Sequence, residues 1–144
     1  MPFETRLFVK TSMVYFILGV LIGGGGMILR GLTGQALSYH WVLIHTHFLT
    51  VGWITQMIMG VALWMFPRYH KPPYKAVTVW WIYGLMNGGL LLRALSEPAT
   101  FSPGSPLGIL LAVSGLAQIL GVILFILSLW RRVSTWKKEF PDAP

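Results

Sequence analysis

Four apolar stretches, separated by short polar or proline- and glycine-containing segments, dominate the hydrophobicity pattern of the chain. They cover about residues 11–29, 41–66, 76–95 and 107–130. Each is close to the roughly 20 residues that an α-helix needs to cross the hydrocarbon core of a bilayer. The pattern predicts an all-α integral membrane protein, a four-helix bundle that forms one domain over residues 1–144.

The segments outside these stretches are predicted to be short and polar. Residues 1–10 are expected to form a polar lead, residues 30–40 a polar loop and residues 131–144 a frayed tail. Pro67 is expected to end the second helix, because proline cannot continue a helix. The first stretch is long and lacks a clear small-residue cleavage site, so we expect a retained helix rather than a signal peptide.

Basic residues concentrate on one side of the predicted bundle. Four spans put both termini and the turn after the second span on the same side. Nine of the eleven Lys and Arg residues fall there: Arg6, Lys10, Arg68, Lys71, Lys75, Arg131, Arg132, Lys137 and Lys138. Only Arg30 and Arg93 fall on the other side. Because cytoplasmic segments are enriched in Lys and Arg, the asymmetry predicts cytoplasmic termini in a multi-pass protein of a prokaryotic inner membrane.

The composition narrows the classes of function. Hydrophobic residues make up 55% of the chain and charged residues 10%, with a mean hydropathy of +0.67, which is typical of a membrane protein. The net charge of +7 is explained by contact with anionic membrane lipid, so nucleic acid is not an expected partner. The lack of cysteine excludes disulfides, iron–sulfur clusters and covalent c-type haem. The four acidic residues lie outside the spans, which disfavours a proton pump or a cation transporter.

A run of four glycines, Gly23 to Gly26, lies in the second half of the first span. Glycine allows close approach between membrane helices or between a helix and a flat ligand. The alternative interpretation is a locally loosened helix end. The sequence does not choose between the two.

Two histidines, His45 and His47, lie near the start of the second span. Ionisable groups are costly inside a membrane, so such residues mark candidate functional sites. Neutral imidazole is a common ligand of metals and of haem iron. Residues two apart on a helix point about 200° apart, so the pair faces two different neighbours. His45 shares a helical stripe with Gly52 and Met59, and the small Gly52 is expected to leave room for a porphyrin face. The alternative is that both rings bond to backbone carbonyls or interfacial water.

The second axial ligand of a haem is not evident from the sequence. The other three spans contain no histidine, and two residues of one helix cannot occupy opposite faces of one ring. Another chain, a methionine or a five-coordinate iron are the alternatives. A homo-oligomer, dimer or trimer, would solve this, with His45 of one copy and His47 of the next sharing a haem. The alternative is a two-fold dimer with one haem between two copies of the same residue. His40 and His70 are expected to be solvated, and most of the methionines to serve packing.

The second span resembles parts of the catalytic subunit of haem-copper oxidases and the related nitric oxide reductases. In that family the second helix opens with a His-Thr-Asn-like signature whose histidine ligates low-spin haem b, as His45-Thr46 would here. It ends in a Gly…Trp…Pro pattern, matched by Gly60, Trp64 and Pro67. The tenth helix of the family carries a His-x-His pair, which His45 and His47 also match. The likeness covers about 45 residues closely, and the size of one four-helix unit loosely.

The resemblance implies haem b bound near the outer face by His45 and His47. Arg30 and Arg93, as the only outer-side cations, are candidates to neutralise the haem propionates. Nothing in the chain matches the family's copper ligands, so reduction of oxygen or nitric oxide at a binuclear centre is not expected. The implied role is cytochrome b-like electron transfer in a respiratory chain, from quinol to an outer-side redox protein. The alternatives are a five-coordinate haem that binds or senses gas, and a haem-free scaffold or assembly subunit of a respiratory complex.

Overall fold

A computed structural model of the chain describes residues 3–66, 76–97 and 105–139. The helices are α1 (Phe3–Thr33), α2 (Tyr39–His47), a π-helix (Phe48–Thr55), α3 (Gln56–Met65), α4 (Ala76–Ser96) and α5 (Pro106–Glu139). The described residues contain no strand, which confirms the predicted all-α class.

Within the described residues, three continuous helical stretches are long and apolar enough to cross a membrane. They are Phe3–Thr33, Tyr39–Met65 and Pro106–Trp130. Large apolar side chains remain exposed along them, including those of Leu21 and Ile119. An exposed apolar surface of this extent is typical of a protein that faces lipid or another protein. The chain therefore has the character of a membrane protein.

The third predicted span coincides with α4 but does not belong to these three stretches. Its bounds, Ala76–Ser96, differ by one residue from the predicted 76–95. Polar Asn87 and Arg93 interrupt its apolar residues, and Trp80 and Trp81 stand near its start. These residues lower its mean hydropathy, although its length of 21 residues matches a bilayer crossing.

Parts of three predicted polar segments are helical instead. α1 begins at Phe3 and continues to Thr33, so the expected polar lead is wrong for residues 3–10, and Arg30 stands in the last turn of a helix rather than in a loop. α5 continues to Glu139, so the expected frayed tail is wrong as far as that residue. The predicted turn at residues 68–75 and residues 140–144 lie outside the described residues.

Arg132 is buried rather than solvated, with 1% of its surface exposed. Its Nη1 donates to the carbonyl oxygen of Leu63 at 3.2 Å and to that of Phe66 at 3.5 Å. These carbonyls belong to the end of α3, where an α-helix leaves its last C=O groups unpaired and favours a cation. Arg132 therefore joins α5 to the C-terminus of α3.

The second membrane-length helix is not a regular α-helix. Its middle, Phe48–Thr55, is a π-helix directly after His47. The hydroxyl of Thr55 donates to the carbonyl oxygen of Thr50 at 2.8 Å, five residues earlier. π-Helical segments are rare, are usually a single turn, and occur frequently near functional sites.

Glycines bring α1 into close contact with the second helix. A Cβ built on Gly19 would lie 2.6 Å from Leu49 Cδ2, and one on Gly60 would lie 3.1 Å from Phe8 Cβ. Without these side chains the two antiparallel helices approach closely, which is how membrane helices gain packing energy without a hydrophobic driving force.

Glycines also permit close contact between α4 and α5. A Cβ on Gly89 would lie 2.9 Å from the backbone oxygen of Ser114, and one on Gly121 would lie 3.0 Å from Met86 Sδ. The contact at Gly89 is to backbone, which cannot move aside as a side chain can. The two helices are thus held at a separation that only glycine permits.

A buried amide pair connects the two helical pairs in the core. Gln56 at the start of α3 and Asn87 in α4 exchange two hydrogen bonds, both of 3.1 Å, and Asn87 Nδ2 also donates to the Tyr83 carbonyl at 2.9 Å. Gln56 is fully buried and Asn87 is 8% exposed. Around them is an apolar cluster of Phe8, Met59, Leu63, Val79, Ile82, Met86 and Phe125.

Candidate functional site: a cleft between helices α1 and α2

A short turn places the start of α2 against the end of α1. Gly34 has φ +74°, the left-handed conformation that glycine adopts at no steric cost, and its N–H donates to the Arg30 carbonyl at 2.9 Å. The carbonyl of Ser38 then accepts from the backbone N–H groups of Trp41 and Val42, which begins α2. The chain therefore reverses within a few residues, and α2 runs back along α1.

The ring of His45 crosses from α2 to α1. Its Nδ1 lies 2.7 Å from the carbonyl oxygen of Gly19. A carbonyl oxygen only accepts, so Nδ1 carries the proton and donates it. In neutral imidazole the lone pair is then on Nε2, which has no hydrogen-bond partner among the described residues. Metal-ligating histidines are usually anchored in this way, with one nitrogen on a carbonyl and the other on the metal.

Gly23 provides the space for this ring. A Cβ at position 23 would lie in contact with Cε1 of His45, 2.9 Å from its Nδ1 and 3.0 Å from its Nε2. Any side chain larger than hydrogen would displace the ring. One turn away Gly26 approaches Leu37, where a Cβ would lie 3.1 Å from Leu37 Cδ2. Two glycines of the run, Gly23 and Gly26, therefore permit close contacts with α2 and with the turn before it. The loosened helix end is wrong, because α1 continues through the run to Thr33.

His45 lies on the wall of a cleft of about 560 Å³ between the end of α1 and the start of α2. This volume is within the range of about 300–1,000 Å³ that is typical of small-molecule and cofactor sites. Its lining is mostly apolar, with one cation: Val20, Gly23, Gly24, Gly26, Met27, Arg30, Ala36, Leu37, Val42 and His45. A flat apolar ligand that carries a negative charge at one edge matches this lining.

Haem b fits these residues. His45 offers an unbonded Nε2 whose partner nitrogen is anchored, the usual condition of an axial histidine. No atom lies within 4 Å of the position that a methyl group on Gly24 would take, so the glycine wall is open there. Arg30 is the cation of the cleft and suits a propionate.

His47 does not line this cleft. Its Nδ1 donates to the Leu43 carbonyl of its own helix at 2.9 Å, and its Nε2 has no hydrogen-bond partner among the described residues. The ring is half-buried. The two histidines therefore lie in different environments. A haem shared between His45 and His47 would require a second copy of the chain.

The space beside Gly52 is occupied by side chains of other helices. A Cβ there would lie 2.6 Å from Tyr15 Cγ and 3.0 Å from Leu90 Cδ2. The stripe that joins it to His45 faces α1 at both residues. The space beside Gly52 is taken by an aromatic ring of α1 and a leucine of α4, so no room for a porphyrin face exists at this position.

Arg93 forms an ion pair away from the cleft. Its Nε lies 3.4 Å from Oε2 of Glu97, four residues later and just past the end of α4, and the carboxylate is almost fully buried. Arg93 does not line the cleft. Of the two cations expected on the outer side, the structure brings only Arg30 to His45.

Several residues of the site were not expected from the sequence. The carbonyl of Gly19 and the aliphatic Leu37 carry no motif of their own. The signal that pointed here was the glycine run, but without a partner helix it did not show which glycine the ring would contact. The buried Gln56–Asn87 pair was not predicted, although both amides lie in apolar stretches of the sequence.

Other candidate ligands lie away from the cleft or outside the described residues. His40 is half-buried beside Tyr39, with ring centroids 6.3 Å apart. His70 is outside the described residues. In the part of the chain that the structure describes, no group of three or more His, Asp or Glu side chains could hold a metal ion.

Comparison with protein-family models, with characterised proteins and with solved structures found no match to this chain.

Proposed function

We propose that the chain is a haem b-binding membrane protein in which His45 would ligate the haem iron and the cleft between α1 and α2 would hold the porphyrin. The observation that carries the proposal is the state of His45: its Nδ1 is fixed by Gly19, its Nε2 has no hydrogen-bond partner among the described residues, and its ring lies against Gly23 in a mostly apolar cleft. The motif resemblance to the haem-copper oxidase catalytic subunit supports the same assignment.

Bound haem iron would supply one-electron redox chemistry. The Gly19 carbonyl holds the Nδ1 proton of His45, which fixes the ring and makes Nε2 the better electron donor. The wall of the cleft is mostly apolar and includes Val20, Leu37 and Val42, which would contact the porphyrin. Arg30 would neutralise the carboxylates of the ligand. The proposed role is cytochrome b-like electron transfer from quinol to an outer-side redox protein.

The proposed protein crosses a prokaryotic inner membrane four times, with cytoplasmic termini. The 21 residues of α4 are long enough for a crossing, and its polar residues are accommodated: Asn87 is paired with Gln56, and Arg93 with Glu97. Polar groups within membrane helices usually pair in this way. The distribution of Lys and Arg supports the orientation.

The second axial position has two possible occupants in this arrangement. One is His47 of a second copy in a homo-oligomer, a dimer or a trimer. The other is a ligand on α1 of the same chain. One haem per chain together with a His47→Ala variant that keeps its spectrum would favour the second. Loss of the six-coordinate spectrum in that variant would favour the first.

The test is a pyridine haemochrome assay and a visible spectrum of the full chain, purified in detergent and reconstituted with haemin. The wild-type protein is expected to bind haem b stoichiometrically, and His45→Ala to lose it. A wild-type preparation that stays colourless after reconstitution would overturn the proposal. It would favour a haem-free scaffold of a respiratory complex, for which the glycine-based helix contacts are suited.

Fast binding of carbon monoxide to the reduced wild-type protein would indicate a five-coordinate iron. In that case gas binding or sensing, rather than electron transfer, would be the function of the same site.

A further inference from the structure

One face of α1 forms the cleft wall opposite Leu37 and Val42. Val20, Gly23, Met27 and Arg30 all line the cleft, and their spacing of three or four residues puts them on one helix face. His45 rests on Gly23 in the middle of this face. Met27 follows Gly23 by one turn, which corresponds to about 6 Å along the helix axis.

Met27 differs from the other described methionines. Met59 and Met86 are buried in the apolar core, and Met57 Sδ accepts a hydrogen bond from Ser12 Oγ at 3.8 Å. Met13 and Met65 are exposed but do not line the cleft. The side chain of Met27 is 77% exposed and lies in the same cleft as His45. Its thioether is therefore free to meet a ligand that His45 also meets.

We propose that Met27 supplies the second axial ligand, so that the haem iron is held by His45 of α2 and Met27 of α1 within one chain. This inference rests on the proposed haem site. Thioether sulfur is an established axial ligand of haem iron opposite histidine. Methionine has three rotatable bonds and adapts to irregular space, which suits a ligand that is positioned by the porphyrin rather than by packing.

The arrangement solves the problem that one helix cannot supply ligands to both faces of a porphyrin. Residues of both α1 and α2 line the cleft, and the turn at Gly34 joins the two helices within one chain. A second copy is then not needed to complete the site. Histidine–methionine ligation raises the reduction potential relative to a pair of histidines, because the thioether stabilises ferrous iron. The protein would thus accept electrons readily from quinol.

The test uses the full-length protein reconstituted with haemin and compares Met27→Leu with the wild type and with Met13→Leu. Leucine keeps the apolar volume and removes the sulfur. Met13 is a matched control, because it is an exposed methionine on the same helix outside the cleft. Haem content, the near-infrared charge-transfer band of thioether-ligated ferric haem, carbon monoxide binding and the midpoint potential are measured for each.

Met27→Leu is expected to keep its haem, lose the near-infrared band, bind carbon monoxide at the opened position and shift to a lower potential. Met27→His should restore a six-coordinate spectrum at a potential below that of the wild type. Met13→Leu should match the wild type. If Met27→Leu keeps the wild-type spectrum and potential while His45→Ala loses haem, Met27 is not a ligand and the haem site stands. If the wild-type protein binds no haem, both proposals fall.

Discussion

The ring of His45 and the backbone of Gly23 are in direct contact across the interface between α1 and α2. The absence of a side chain at position 23 lets His45 reach the Gly19 carbonyl, to which its Nδ1 donates at 2.7 Å. The orientation of the ring therefore depends on a glycine of a different helix. This dependence can be tested one methyl group at a time.

Gly23→Ala is expected to weaken haem binding by about 10- to 100-fold, the usual cost of disturbing the anchor of a metal-ligating histidine. The new methyl would occupy the position of the His45 ring and break its bond to Gly19. Haemin titration of the purified protein measures the effect. Gly25→Ala is the control, because no atom lies within 4 Å of a methyl at position 25. Equal affinities of the two variants would contradict the role of Gly23.

Arg30→Gln is expected to weaken haem binding modestly, by about 1 kcal/mol or roughly fivefold, since Arg30 is exposed and its charge is screened by solvent. Haem retention during detergent dialysis measures this loss. The effect should shrink at high salt and disappear with a haem analogue whose propionates are esterified. An unchanged affinity of Arg30→Gln for ordinary haem would exclude a propionate contact.

Arg93→Gln is expected to leave haem affinity unchanged and to reduce stability instead. It leaves the buried carboxylate of Glu97 without the cation that lies 3.4 Å away, at a cost of about 1–3 kcal/mol. Unfolding in mixed detergent measures the difference from wild type. Glu97→Gln in the same chain should recover part of the loss, because it removes the unpaired charge. A fall in haem affinity with unchanged stability would instead place Arg93 at the propionates.

Gln56→Leu is expected to destabilise the protein by about 1–2 kcal/mol, because it leaves the buried amide of Asn87 without its partner. Asn87→Leu should behave alike. The double variant should cost less than the sum of the two, since neither polar group then remains. Detergent unfolding of all four proteins gives the coupling energy. Strict additivity would mean that the two hydrogen bonds contribute nothing as a pair.

Gly89→Ala is expected to destabilise the contact between α4 and α5 by about 1–3 kcal/mol, because the methyl would lie 2.9 Å from the backbone oxygen of Ser114. Gly88→Ala provides the comparison: its methyl would meet nothing within 4 Å, so only the small gain in helix propensity is expected. Thermal unfolding in detergent separates the two. Identical midpoints would mean that α4 and α5 can move apart to accommodate the methyl group without a loss of stability.

The helical class and the approximate bounds of the helices could be predicted from the sequence, because long apolar runs carry a strong signal. The bound of α4 was predicted to within one residue. The outer parts of α1 and α5 could not, because polar residues such as Arg6 and Arg132 suggested solvent. Arg132 is instead buried against the end of α3, and its pairing with carbonyls 66 and 69 residues away has no local signature.

The π-helix was not foreseen either. An apolar run has the same composition whether its hydrogen bonds span four residues or five, so only the packed structure distinguishes them. The stripe from His45 to Gly52 was predicted with a regular period and nevertheless faces α1 at both ends. The interpretation of Gly52 was wrong: this small residue was expected to leave space for a ligand, whereas Tyr15 occupies that space.

Only part of the candidate site could be predicted from the sequence, for a similar reason. His45 and Arg30 were singled out by their chemistry, and the structure brings both to one cleft. Arg93 was singled out on the same grounds, but it is paired with Glu97, just past the end of its own helix. Charge and position suggested both arginines equally, and only the helix contacts decide between them.

The reciprocal amide pair of Gln56 and Asn87 has a consequence for how the chain assembles. An α-helix advances 5.4 Å per turn, so a slip of one turn between α3 and α4 would separate both amides in an environment where water cannot replace the lost bonds. Smaller shifts also break the two hydrogen bonds and are unfavourable as well. The part of the chain up to α3 and the pair of α4 and α5 should therefore dock in one cooperative step, with a single register along the helix axes.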